Sequence, residues 1–119
     1  MKQQPFLYLD EDRLKIQSMN NQEILTQMVD SFLLHFPEII LLAETALERK
    51  DGSSLARAIH KLKASLGLFS TDALHRQAER AEQIATDIHT NETLLETHLA
   101  IARAKVLVKE VEVFKEKSI

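Results

Sequence analysis

Two glycines and two prolines are the only strong backbone breakers in 119 residues. Turns draw on these residues because they supply or fix unusual backbone angles, and an all-β chain needs such a turn about every ten residues. A chain this poor in punctuation is expected to be helical. Its 45% apolar and 28% charged residues are the balance of one soluble domain, expected to span residues 1–119. The absence of cysteine excludes a disulfide framework, a cysteine-ligated zinc or iron–sulfur site and a cysteine nucleophile. A net charge of -3 gives no overall basic field for a polyanion, so no nucleic acid is expected as a partner. The apolar run Phe6 to Leu9 after Lys2 is too brief for a secretory signal, and Ile39 to Ala43 is far shorter than the ~20 residues that cross a bilayer. A cytoplasmic protein with no membrane partner is expected, and the initial Met1 with a full bundle favours an independent chain.

Apolar residues returning every ~100° mark the helices and their inner faces. From Gln22 to Phe36 the stripe is Leu25, Met28, Val29, Phe32 and Phe36. Pro37 is expected to open a separate helix, since its fixed φ and missing N–H suit a first turn; Ile39, Leu42, Ala43 and Ala46 give that helix its face, widened by Ile40 and Leu47. Asp51-Gly52-Ser53 is the clearest break, pairing a residue tolerant of left-handed backbone with an N-cap. Leu55, Ile59, Leu62 and Leu66, with Phe69, follow. Ser70 or Thr71 then caps a helix with Leu74, Ala78, Ala81, Ala85 and Ile88 inside. From Asn91 to Phe114 the stripe is Leu95, Leu99, Ala102, Val106 and Val113. Short connections force antiparallel neighbours, so the expected architecture is all-α: an antiparallel four-helix up-and-down bundle, with a candidate short helix over Asp10 to Met19.

His60 stands ~140° from the Ile59, Leu62 and Leu66 face and is expected to meet solvent. Around it lie Ser53, Ala56, Arg57, Lys63, Ala64 and Gly67, small or basic, which leave the ring open to another protein. An accessible imidazole is largely unprotonated near neutral pH and is a competent nucleophile. A phosphoryl group fits such a site best, because its transfer depends on positioning and a nearby cation, here Lys63. A solvent-facing His beside Lys and Arg is also the common make-up of a hydrated surface, and geometry alone leaves both readings open.

The segment Ala58-Ile59-His60-Lys61-Leu62-Lys63-Ala64-Ser65 resembles the signature of the histidine phosphotransfer (HPt) domain: an active His, then Leu two positions on, Lys three on and a small residue next. Leu74, Glu82 after Ala81, Asp10 with Leu14, Phe32-Leu33, Pro37-Glu38, Ala46-Leu47 and Lys50-Asp51 extend the likeness over residues 6 to 114. Two positions depart from it. Ala64 and Ser70 stand where the family often has Gly, and Ser70 puts the shape of the turn after the third helix in question.

The resemblance implies a phosphorelay intermediate, with His60 accepting a phosphoryl group from a receiver-domain phospho-aspartate and passing it to another receiver aspartate. It implies catalytic roles for His60 and Lys63. Its partners would be response-regulator receiver domains, and a hybrid sensor histidine kinase is a further candidate. The receiver would bring Mg2+, and no cofactor is expected on this chain, which has no glycine-rich phosphate loop for ATP and is expected to be a carrier and a monomer. Arg57, Lys61, Ala64, Gly67 and Leu68 are the expected partner-binding residues, Leu68 because a large apolar side chain off the core stripe suits a docking patch. Two rivals are a helical adaptor that binds a receiver or partner helix without transfer, and a metal-binding bundle. His75, Glu79 and Glu82 share one flank, yet no paired Glu-x-x-His motifs occur, and a solvated flank is expected there without a metal. His35, His89 and His98 read as surface or helix-end residues.

Overall fold

A computed structural model describes residues 5–119; Met1 and Lys2, which enter the reading of the amino terminus, lie outside the described residues. Among these, five helices follow one another: α1 (Glu11–Gln17), α2 (Gln22–Glu48), α3 (Gly52–Phe69), α4 (Asp72–Ile84) and α5 (Asn91–Ser118). The long four form the bundle as a ring, α2 against α3, α3 against α4, α4 against α5 and α5 back against α2, while α1 packs on α3. This is the expected up-and-down bundle with its short leading helix.

Helix boundaries follow local chemistry. Asp10 caps α1 by accepting from the Arg13 N–H, and Asn21 caps α2 by accepting from the Ile24 N–H. Pro37 does not open a helix; it lies inside α2, on the exposed side. A mid-helix proline costs ~3 kcal/mol in a lost hydrogen bond and ring crowding. Phe36 and Ile40 flank it with 1% and 4% exposure, and burial of each such side chain returns about 1.5–3 kcal/mol. The continuous buried row Val29, Phe32, Phe36, Ile40, Ala43, Ala46 therefore carries the helix through the proline. Leu42, expected inside, is half exposed at 51%. Joined, the two segments make α2 long and apolar enough to cross a membrane by length and composition, which neither half was; here it spends its apolar face in the bundle core.

The turn after α2 also differs from expectation. Lys50, at φ 55°, takes the left-handed conformation, Asp51 is the cap, and Gly52 already belongs to α3. The Asp51 carboxylate accepts from the Ser54 hydroxyl at 2.7 Å and from its N–H at 3.1 Å, which lowers its pKa. Gly52 is needed for closeness: a Cβ there would stand 2.9 Å from the carbonyl oxygens of Ala85 and Thr86.

The turn after α3 accepts serine without strain. Ser70 is extended (φ -106°, ψ 167°), and its hydroxyl donates to the Leu66 carbonyl at 2.8 Å. Thr71 takes the cap position of α4 without a side-chain bond. Leu9 forms an isolated antiparallel bridge with Ser70, Asp10 N–H donates to Phe69 O, Thr71 N–H donates to Tyr8 O, and Arg13 binds Ser70 O and Asp72. The segment before α1 is thus a strap across this turn, tied at its other edge by Leu7, Tyr8 and Leu9 N–H groups donating to the Glu110 carboxylate of α5.

The residues expected on the inner faces of α3 and α4 are all buried, joined by Ala58 and by Gln77, which was not expected inside and donates to the Glu96 carbonyl; α4 ends at Ile84, and Ala85 and Ile88 stay buried in the turn that follows. In α5 the expected stripe is overturned. The buried residues are Thr93, Thr97, Ala100, Ile101, Ala104, Leu107, Val111 and Phe114, whereas Leu95 is 61%, Val106 39% and Val113 38% exposed. Two threonines and two alanines hide the true core face from an apolar count. Thr93 is at home inside because its hydroxyl donates to the Ile84 carbonyl at 2.9 Å, and the buried alanines present little bulk to the helices that α5 packs on.

Candidate functional site

His60 lies near the middle of α3, opposite the buried Ile59, Leu62 and Leu66. Its side chain is 67% exposed. The bundle brings Glu82 of α4 to it: one carboxylate oxygen is 3.0 Å from His60 Nδ1, and the other is 2.8 Å from Lys63 Nζ. One acid thus holds two basic groups three positions apart on the neighbouring helix. Partial burial works against charge on Glu82, yet contact with Lys63 and then His60 outweighs it, and the pKa stays below the ordinary carboxylate value. Lys63 is correspondingly raised, chiefly by its contact with Glu82.

With a carboxylate on Nδ1, the neutral ring keeps its proton there and leaves the lone pair on Nε2. The site is therefore an oriented imidazole on an open surface. Ala56, Arg57, His60, Lys61 and Glu82 line a shallow recess. Arg57 donates to the hydroxyls of Ser53 (3.1 Å) and Ser54 (3.2 Å), which points its guanidinium back toward the start of α3. Ala64 is exposed one turn beyond His60 and covers nothing.

Two expected docking residues stand elsewhere. Leu68 is 40% exposed and lines a groove of about 330 Å³ between α2 and α3, floored by Met28, Phe32, Phe36 and Phe69 and edged by His35 and Ser65. Gly67 is half-buried against His75; a Cβ there would meet the imidazole at 3.8 Å, ordinary contact, so its lack of a side chain is not what opens the surface. His75 and Glu79 do not join Glu82 in a metal cluster, and none exists among the described residues. His35, His89 and His98 are exposed, as expected.

Glu82 is the residue that sequence reasoning placed on a solvated flank. Periodicity could not pair it with His60, because the two are 22 positions apart on different helices. The available signal was its place in the family likeness, after the buried Ala81.

No curated protein and no solved structure matches the chain. The family model described as Hpt domain matches residues 27–114, from the second turn of α2 to Phe114, and so takes in His60, Lys63 and Glu82 together with the four helices that position them. The chain belongs to the Hpt domain family, whose members serve histidine phosphotransfer in two-component signalling.

Proposed function

We propose that this chain is a phosphorelay intermediate in which His60 is the phosphoryl carrier, loaded from a receiver-domain phospho-aspartate and unloaded onto a second receiver aspartate. The contact of Glu82 with His60 Nδ1 carries the reading, since a histidine that only decorated a surface would need no partially buried acid to orient it. The Nε2 lone pair attacks phosphorus, the P–O bond to the aspartate breaks, and its electron pair leaves with the carboxylate. The ring becomes a cation still protonated at Nδ1, which Glu82 stabilises. Lys63 balances the Glu82 charge, so that the arriving phosphoryl group does not meet an uncompensated carboxylate, and it is the cation held on the same acid as His60, from which it can shift onto the phosphoryl oxygens.

In this reading the receiver supplies Mg2+ and the acidic pocket, and this chain is a co-substrate and not a kinase. Arg57 and Lys61 line the recess at His60 and Ala64 is exposed one turn on, while Leu68 and the groove beside it provide apolar docking area further along α3. A soluble cytoplasmic setting goes with such partners. A non-transferring adaptor would use the same surface but not the Nδ1 contact.

Incubation with a phosphorylated receiver tests the assignment. His60→Gln should take up no label while keeping the helical circular-dichroism signal, and wild-type label should be acid-labile and base-stable, as a phosphoramidate is. Equal labelling of His60→Gln, or label that survives acid, sinks it. Lys63→Ala should slow single-turnover transfer with the fold intact; an unchanged rate would remove Lys63 from the mechanism.

A further inference from the structure

Leu95, Leu99, Ala102, Val106 and Val113 repeat at spacings of four, three, four and seven residues, the rhythm of a coiled-coil seam. The bundle does not use it. Leu95, Val106 and Val113 are exposed, Ala102 is exposed and Leu99 only half-buried, whereas the core side of the same helix is filled by another set of residues. The seam runs about 27 Å at ~1.5 Å per residue, with Lys109 filling the one seam position between Val106 and Val113. Apart from Lys109, which borders a groove with Pro37 and Leu41 of α2, it faces away from both helices that α5 packs on, since the α2 side carries Lys105, paired with Glu44, and the α4 side carries Glu96, whose carbonyl accepts from Gln77.

We infer that this face of α5 binds the α5 of a second copy of the same chain, the two helices running parallel and in register. Three observations select that occupant. Leu99, Val106 and Val113 share one heptad position and Leu95, Ala102 and Lys109 the other, so that both β-branched residues occupy the position where such residues favour parallel pairs. The flanks are self-complementary in that arrangement: Lys105 would face the partner's Glu110, and Glu112 the partner's Lys117, on both sides of the two-fold axis. His98 opposite the partner's Arg103 adds no attraction. Glu110 is already a fixed carboxylate through the strap. Lys109 lets its stem cover the seam while the ammonium stays in water, favouring one register at some cost in affinity. The inference is independent of the phosphotransfer reading. α3 lies across the bundle from α5, so both copies keep His60 open.

The chain has no native cysteine, which makes single introduced thiols unambiguous. In a parallel in-register pair every seam residue meets its own twin within the ~7 Å Cα separation a disulfide requires. Ala102→Cys and Val113→Cys should both form disulfide-linked dimers on the order of tenfold or more faster than Leu34→Cys, although Leu34, on α2, is more exposed than Val113. Sedimentation of the unmodified chain should show concentration-dependent dimer, lost in Val106→Glu with the helical signal kept. Cross-linking of only one of the two seam cysteines means an antiparallel pair and overturns the proposal. So do rates no faster than Leu34→Cys, or a monomer at every concentration.

Discussion

The outward faces of α3 and α5 invite opposite conclusions from the same kind of pattern. In α3 the apolar stripe Leu55, Ile59, Leu62, Leu66 is the core, and what lies opposite is a polar working surface around His60. In α5 the stripe with the cleaner repeat lies outside, and the core is drawn from Thr93, Thr97, Ala100 and Ala104 together with Ile101, Leu107, Val111 and Phe114. Periodicity finds a buried face only when burial is bought with large apolar side chains. A helix packed through small residues and hydrogen-bonded hydroxyls buries just as much backbone and leaves little trace in an apolar count.

The sharpest way to break this contrast is to truncate one leucine from each side of α5. Leu107→Ala should cost about 3 kcal/mol, because Leu107 is fully buried. Leu95→Ala should stay within about 0.5 kcal/mol at concentrations where the chain is monomeric. Thermal melts of the two variants decide it; equal losses would mean that the core face of α5 is misassigned.

The two glycines of α3 extend the comparison to a single helix. Gly52→Ala should destabilise by about 2 kcal/mol, since its methyl meets two backbone carbonyls that cannot move aside cheaply. Gly67→Ala should be neutral or stabilising by up to about 1 kcal/mol, because the methyl meets only the His75 ring at contact distance and a helix gains by losing glycine. Denaturant midpoints of both variants would show whether close approach or backbone freedom decides each position.

The smallest effect concerns the acid that ties α3 to α4. Glu82 has a lowered pKa in the folded chain, so its contribution is present above the ordinary 4.5 and is lost as pH falls through the lower folded value. Lys63 is raised, so its contribution is present below 10.5 and is lost as pH rises through the higher folded value. The stability gap between wild type and Glu82→Gln should therefore be flat between these limits and close at both ends. A gap that does not change with pH would mean that the contact carries no charge interaction.

How much could be read in advance varies with the distance over which each feature is decided. The bundle, the inner faces of α3 and α4 and the exposure of His60 depend on residues within a few turns, and all were legible. The Pro37 signal was local too, but Phe36 and Ile40 reach a core built by the other helices, and that burial overrides it. Glu82 was legible as a family position and not as a partner of His60, because only the packing of α4 on α3 sets their distance. Leu68 was rightly marked as an outlying apolar residue, but the groove that it lines is completed by α2.

The strap ahead of α1 closes the longest loop in the molecule. Leu7, Tyr8 and Leu9 meet Glu110 across 103, 102 and 101 positions of sequence, and the entropy of joining points so distant is lost before any of the three bonds is gained. The neighbouring helices of the bundle can assemble through shorter closures, one hairpin at a time, but the strap has no site to join until α5 is seated and the turn at Ser70 has formed. Its docking is therefore expected to follow the seating of α5 and of the Ser70 turn, and because Leu9 is fully buried among the core residues, the latch once fastened belongs to the same packed unit as the helices.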